Sequence, residues 1–391
     1  MEPTRLEAIP PSLADDVVEL RAQAERLGAR LAPATAANLA DVVRVMNSYY
    51  SNLIEGHNTR LADLDAAFAL ADVGRDRVIE ARAHIRLQQT IDHAFAAGAL
   101  PEPATRDYVR HLHREFYADA TPAMLRVGEG AKAHQMAPGV FRIDGEDAVI
   151  GLHQAPSGGE VVERCMRYFE NKFAITTMGA SEKIIAVAIA HHRFNFVHPF
   201  ADGNGRVSRL MSHAMGHLAG IGASGLWSIS RGLARGLNPG PGGRGDYHAM
   251  MDLADHSREG DLDGRGNLSL RCLQTFVSWF VRVALDQIAF MHGLFEFDAL
   301  SRRLSAYAMT IADMPVEATY ILRDLCLRGE IPRGELHRST GLQERTTRTI
   351  IAKLAAAGLI GSASPKTAVS LRFPVLAIPM LFPNLYSGPV S

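Results

Sequence analysis

Within residues 198–209, HPFADGNGRVSR, an imidazole, a carboxylate and two guanidiniums stand around two glycines. Pro199 disfavours helix at the residue before it, so a helix arriving from the N-terminal side should end at His198 and present the imidazole at its terminus. Gly203 and Gly205 permit positive φ angles and let a ligand approach bare backbone. The helix predicted next opens with free N–H groups, and a turn running into such an end favours phosphate oxygens through both amides and dipole. Arg206 and Arg209 lie three apart, so they face one side at the positive end of that dipole. Their mutual repulsion costs from a few tenths to about 1 kcal/mol, and something anionic should compensate. Asp202 is a hard carboxylate of the kind that holds magnesium against phosphates. His198, with an ordinary pKa near ~6.5, is able to take a proton from an attacking hydroxyl at neutral pH. Singly, each residue has an ordinary explanation: a turn, a structural histidine, solvated arginines. No packing argument requires all of them together.

Two helices must hold this turn. Residues 182–197 carry Ile184, Ile185, Val187, Ala188, Ala190, Phe194 and Val197, an apolar segment suited to a buried central helix, and residues 205–217 form the next helix. Ahead of them, 13–31, 35–54, 60–71 and 76–97 show apolar residues at three- and four-residue spacing, which predicts amphipathic helices. Residues 139–152, GVFRIDGEDAVIGL, place an Asp144-Gly145 turn between 140–143 and 148–150, predicting a β-hairpin. Helices are also predicted at 159–176, 246–257 and 267–294. Residues 238–245, NPGPGGRG, predict a flexible loop. No internal repeat is present.

The turn resembles the signature of the Fic family, H-x-F-x-[DE]-G-N-G-R-x-x-R. His198, Phe200, Asp202, Gly203, Asn204, Gly205, Arg206 and Arg209 match every fixed position. Residues 190–194, AHHRF, look like the family's approach helix, and weaker likeness runs over 35–294. The resemblance implies transfer of AMP from ATP to a Ser, Thr or Tyr hydroxyl of a protein, the chain itself among the candidate targets. It implies that His198 deprotonates the hydroxyl and that Asp202 holds Mg2+ or Mn2+ on the α- and β-phosphates. Gly203, Asn204 and Gly205 would cradle the anion, Arg206 the phosphate tail and Arg209 the γ-phosphate, with Phe200 anchoring the loop. Gly205 stands where a kinase-like branch carries lysine, which favours AMP over phosphate transfer. The hairpin would be a flap holding the target by strand addition, with Val149 and Ile150 as its contacts. Tyr247 is the candidate for the adenine pocket.

Residues 51–56 read SNLIEG at the end of a helical pattern. Glu55 falls in the last turn, where its charge opposes the dipole, and Gly56 supplies a terminating conformation. The string resembles the family's inhibitory motif, [ST]-x-x-x-E-[GN], N-terminal to the catalytic core (the class II arrangement). The resemblance implies that Glu55 pairs with Arg209 in the γ-phosphate site, a charge-assisted contact that settles both misplaced charges, with Ser51 orienting Glu55. Some relatives use this glutamate to position water for removing AMP, so a bifunctional or mainly de-AMPylating enzyme is the alternative.

After residue 314 the pattern changes. Residues 316–327, 332–339 and 343–357 predict three helices, with Thr340-Gly341 between the last two, before a strand-like 358–372. This reads as a winged helix-turn-helix. Nine Lys/Arg against five Asp/Glu over 316–372 leave a local charge of +4. Arg345, Arg348 and Lys353, with Thr346, Thr347 and Thr349, are the residue types of a recognition helix, while Ile350, Ile351 and Leu354 would face the core. DNA binding and protein docking or dimerisation both remain open, as does a regulator that merely senses nucleotide through its Fic domain.

Composition bounds the rest. The chain's 391 residues suggest two or three domains. We expect a mainly α architecture: an N-terminal helical region 1–105, a Fic-type core 106–296 with a β-hairpin flap, a linker helix 297–314 and a winged-helix domain 315–391. With 41 basic against 42 acidic residues, the chain does not coat nucleic acid or membrane with its whole surface. Cys165, Cys272 and Cys326 form no C-x-x-C pair, so neither a disulfide framework nor a thiolate zinc site is encoded. The opening residues lack the basic start and apolar run of a secretion signal, and no stretch approaches ~18 uninterrupted apolar residues. A soluble cytoplasmic protein is expected, with a homodimer allowed and no membrane partner.

Overall fold

The computed structural model describes residues 1–29, 31–57, 72–128, 130, 133–146, 149–150, 153–237, 243–362, 364 and 367–386. It is mainly helical, as expected. In chain order come α1 (Pro11–Ala29), α2 (Pro33–Ile54), α3 (Asp72–Ala96) and α4 (Arg106–Phe116). Two short hairpins follow, β1 (Arg126–Val127) with β2 (His134–Gln135), and β3 (Val149–Ile150) with β4 (His153–Gln154). Then come α5 (Gly159–Lys172), α6 (Ala180–Val197), α7 (Asn204–Leu218), α8 (Ile229–Arg235), α9 (Gly243–Ala254), α10 (Leu270–Phe295) and α11 (Phe297–Ala308). The last elements are α12 (Ala318–Arg328), β5 (Glu330–Ile331), α13 (Leu336–Thr340), α14 (Glu344–Ala356), β6 (Ile360–Gly361), β7 (Val369–Leu371) and α15 (Ile378–Leu381). The helix predicted at 60–71 and residues 238–242 of the predicted loop lie outside the described residues. Among the described residues no helix is long and apolar enough to cross a membrane.

The chain divides into two compact units, one of residues 1–25, 47–223 and 228–287, the other of 26–46, 224–227 and 288–391. The first is built around α6. Every residue from Ile184 to Val197 is buried, as befits a helix apolar on all sides. Its polar residues find partners inside: the buried Arg193 donates from Nε to the Pro3 carbonyl (3.1 Å) and from Nη1 to the Ala254 carbonyl (3.2 Å). α7 packs along α6, α3 and α4 pack on α7, and α5 closes another side of α6. α4 starts at a Thr105 cap, whose side chain accepts from the Tyr108 amide.

The hairpin is displaced from its predicted register. Asp144-Gly145 forms a turn, with Gly145 at φ 86°, but residues 140–143 are not a strand. The pairing is instead Val149 with Gln154 and Ile150 with His153. Side-chain burial explains the difference: Phe141 and Arg142 are both buried, with Val140 and Ile143 exposed on either side, which breaks the alternation a strand needs. The Arg142 guanidinium is drawn inward to backbone carbonyls, and Asp144 turns back to accept from the Gly159 amide (2.7 Å).

In the second unit, α12 and α14 pack against a three-stranded antiparallel sheet of order β5-β7-β6, and α13 packs on α12 and α14. Ile350, Ile351 and Leu354 of α14 are buried as expected. Thr347 is buried too, its hydroxyl 3.0 Å from that of Thr340, so it does not share the outer face with the exposed Arg345, Thr346, Arg348 and Thr349.

Candidate active site

α6 ends where Pro199 requires. His198 is its C-cap and takes the left-handed conformation, φ 50° and ψ 60°, an arrangement that costs a non-glycine residue about 1–2 kcal/mol. Arg142 holds it there. This almost fully buried side chain donates from Nε to the His198 carbonyl (2.7 Å) and from Nη2 to the Val197 carbonyl (3.1 Å). It also reaches the carbonyls of Pro156 and Glu146. Burial, then the Arg142 charge, push the His198 imidazole down to about 4. The ring is therefore neutral at physiological pH, the state in which it accepts a proton.

The loop is closed by Asn204, whose side chain accepts from the Phe200 amide (2.9 Å) and donates to the Phe200 carbonyl (2.8 Å). Phe200 is wholly buried and stacks on His113, with ring centroids 3.9 Å apart. His113 Nδ1 accepts from the Gly139 amide (2.8 Å), so its Nε2 carries the proton donated to the Asp202 carbonyl (3.1 Å). Burial keeps that ring neutral, with a pKa of about 4. Gly203 caps α7 at φ 78°, and a Cβ there would lie 2.8 Å from the Tyr117 hydroxyl. Gly205, expected to adopt positive φ as well, lies inside α7 and is not among the positive-φ glycines. Its bare backbone serves close approach instead: a Cβ would come within 2.4 Å of Glu55 Oε1.

Each arginine of α7 has its own counter-charge. Arg209, almost fully buried, donates from Nη2 to Glu55 Oε1 (2.6 Å) and from Nε to Ser51 Oγ (2.9 Å). α2 delivers both partners because it ends at Ile54 and the chain turns at Gly56, φ 84°. Ser51 thus orients the guanidinium rather than Glu55. Burial would raise the Glu55 carboxyl, but Arg209 and Arg206 outweigh it and hold the group below its ordinary range. Arg206 pairs with Glu80 of α3 (3.0 Å) and donates to the Tyr117 hydroxyl (3.1 Å), which in turn donates to Asp202 Oδ2 (3.3 Å). Asp202 itself is exposed on the loop. An exposed, hydrogen-bond-anchored hard oxygen beside free helix amides fits a magnesium ion shared with phosphates.

The structure therefore gathers His198, Phe200, Asp202, Gly203, Asn204, Gly205, Arg206, Arg209, Ser51, Glu55 and Gly56 around one loop. Tyr247 is buried, its hydroxyl 2.9 Å from His191 Nε2 and bonded to Arg209. Val149 and Ile150 pair with β4. Sequence reasoning missed Arg142, His113, Tyr117 and Glu80. Only Glu80 had a signal, since two guanidiniums at a positive helix end require two anions and Glu55 is one.

Residues 103–215 match the family model described as the Fic/DOC family. No curated protein matches. Among solved structures, the fold is similar to a Fic family protein from Desulfovibrio desulfuricans G20, with 17% identity, a TM-score of 0.51 and coverage of 95% of this chain and 98% of that one. It is also similar to Fic-1 (residues 134–508) from C. elegans, with 16% identity, a TM-score of 0.50 and 73% coverage of each chain. At these identities the two structures support the fold alone.

Proposed function

We propose that this chain, whose residues 103–215 form a Fic domain, is a cytoplasmic protein adenylyltransferase restrained by its own Glu55. Fic-domain proteins generally transfer AMP or other nucleotide-derived groups to proteins. The observation that carries the finer reading is the backbone turn that sets a neutral His198 ring beside the amide-rich start of α7. His198 accepts the proton of a target Ser, Thr or Tyr hydroxyl as its oxygen attacks the α-phosphorus of ATP, and pyrophosphate leaves. The α7 amides and the two guanidiniums bind the tail and stabilise charge on the departing oxygens. Asp202 would hold a Mg2+ or Mn2+ ion, which neutralises charge between the phosphates when bound. The β3–β4 hairpin is suited to hold an extended target segment through backbone bonds.

With Glu55 on Arg209, the tail site is closed. Release of that carboxylate admits the γ-phosphate and brings the α-phosphate into line. A second reading, removal of AMP, is favoured by the same carboxylate, which hangs directly over Gly205 where a water would be positioned. For α12–α14 and their sheet we propose a winged-helix module, supported by the exposed Arg345, Thr346, Arg348 and Thr349 on one face of α14. Salt-sensitive binding of duplex DNA would assign that face to DNA, and its absence would assign it to protein docking. The enzyme reading is tested with α- and γ-labelled ATP on the wild type, Glu55→Gly and Glu55→Gly/His198→Ala. Label from the α-position only, abolished in the double variant, is expected. Label arriving solely from the γ-position refutes AMP transfer.

A further inference from the structure

On the first unit, α3 and α7 meet a second time. Asp92 of α3 projects its Oδ1 to 2.7 Å from His213 Nε2 and 2.8 Å from His217 Nε2, and the two ring nitrogens are 3.2 Å apart. His213 and His217 stand four apart on α7, hence on one face of it. The side chains of Asp92, His213 and His217 are only 8%, 9% and 1% exposed. The His217 ring is fixed, stacked on Phe95 with centroids 4.6 Å apart. Gly222 fits over its other nitrogen, where a Cβ would come within 2.2 Å of Nδ1.

We infer that Asp92, His213 and His217 bind one divalent transition-metal ion of the zinc type. If hydrogen bonds alone joined the three with Asp92 ionised, both Nε2 atoms would have to carry protons aimed at a single oxygen, with the two N–H groups crowded against each other. Two lone pairs directed at a shared cation remove that conflict. Two imidazoles and a carboxylate are a donor set for zinc rather than magnesium, which prefers oxygen alone. Metal–ligand distances of about 2.0–2.2 Å in a tetrahedron set ligand atoms roughly 3.3 Å apart. The three atoms here need to open by no more than a few tenths of an ångström on average. Three protein ligands leave a fourth position for water, reached past the partly exposed His213 and Asp92. The ion would fasten the C-terminal parts of the helices whose other ends hold the Glu80–Arg206 pair. It shares no ligand with the site at Asp202, so it stands whether or not AMP transfer does.

The test uses the untagged full chain, stripped of metal and titrated with Zn2+ by calorimetry and with Co2+ by visible absorption, without nucleotide. One equivalent of Zn2+ per chain is expected, with d–d bands from Co2+ that Zn2+ displaces and a rise in melting temperature. His213→Ala should weaken Zn2+ by more than about 100-fold, beyond what loss of an outer partner costs. His213→Asn should do the same while its metal-free melting temperature stays near that of the wild type, which separates lost ligation from lost folding. The chain has 16 histidines, so uptake that persists unchanged in His213→Asn, or no stoichiometric uptake by the wild type, overturns the site.

Discussion

Replacing Glu55 removes one charged partner from a contact whose strength follows from its geometry. Its oxygen lies 2.6 Å from Arg209 Nη2, with Arg209 almost fully buried and the Glu55 side chain 32% exposed. A hydrogen bond between charged groups contributes about 1.5–3 kcal/mol. Partial solvent screening at Glu55 puts this one in the lower half, about 1.5–2 kcal/mol. On the proposed reading that contact must break before a phosphate takes Arg209, so it would suppress the nucleotide-competent state by the same amount. At 1.36 kcal/mol per factor of ten, Glu55→Gly should raise the competent fraction by about 10- to 30-fold, and apparent ATP affinity with it. Glu55→Gln keeps the shape and loses the charge, and should fall between. Two measurements check this: calorimetric binding of ATP with magnesium, and self-labelling from α-labelled ATP at sub-saturating nucleotide. Arg209 retains Ser51, so melting temperature should drop by only a few degrees. If both variants bind ATP as the wild type does, Glu55 is a surface carboxylate near an arginine and the restraint does not exist. The contact should also be insensitive to alkaline pH. A carboxyl held below its ordinary range keeps its charge above that range and loses it only as pH falls through the lowered value.

The other outcomes follow from the same site. In the Glu55→Gly background, labelling should be flat from pH 8 to about 5 and decline as pH falls toward the His198 value of about 4. An inflection near ~6.5 would mean that the surroundings do not depress the ring as described. His84 and His191 are pushed down to about 3, and His113 and His198 to about 4, burial being the first cause in all four. The unfolded chain protonates them near ~6.5 while the folded chain does not, so stability is full above that pH and falls as pH drops toward 4. The slope is at most about 1.36 kcal/mol per pH unit for each ring. Urea denaturation at pH 7, 6 and 5 measures it, and an unchanged midpoint counts against neutral buried rings. Arg142→Lys cannot reproduce the fork on His198 and Val197. It should lower kcat by about 10- to 100-fold through misplacement of the ring, with nucleotide affinity unchanged; equal losses in both would point to general unfolding.

What was legible in the sequence was local. Pro199 after His198, the glycine before α7 and Gly56 after Glu55 act within one turn of themselves, and the backbone obeys them. Glu80 is different. It sits in an ordinary amphipathic pattern, and only the packing of α3 on α7 makes it a counter-charge. His113 of α4 and Tyr117 just after it look like routine aromatic residues until Gly139 and Asp202 are brought against them. The hairpin shows a conflict between levels: Asp144-Gly145 is a good turn, but an inward-facing Arg142 cannot join an alternating strand. Thr347 likewise has the composition of a surface helix, and a hydroxyl contact with Thr340 takes it inside.

Arg142 joins two parts of the molecule through carbonyl oxygens: the segment leading into and out of the hairpin at Glu146 and Pro156, and the strained end of α6 at Val197 and His198. One rigid planar cation is thus a bearing shared by the arm that would grip a polypeptide and the hinge that aims the imidazole. On the proposed reading, a guest strand that tugs on the arm would also trim the angle of the base, so a poorly seated guest would meet a poorly aimed ring, and selectivity among hydroxyls would arise without any pocket for the guest's side chains.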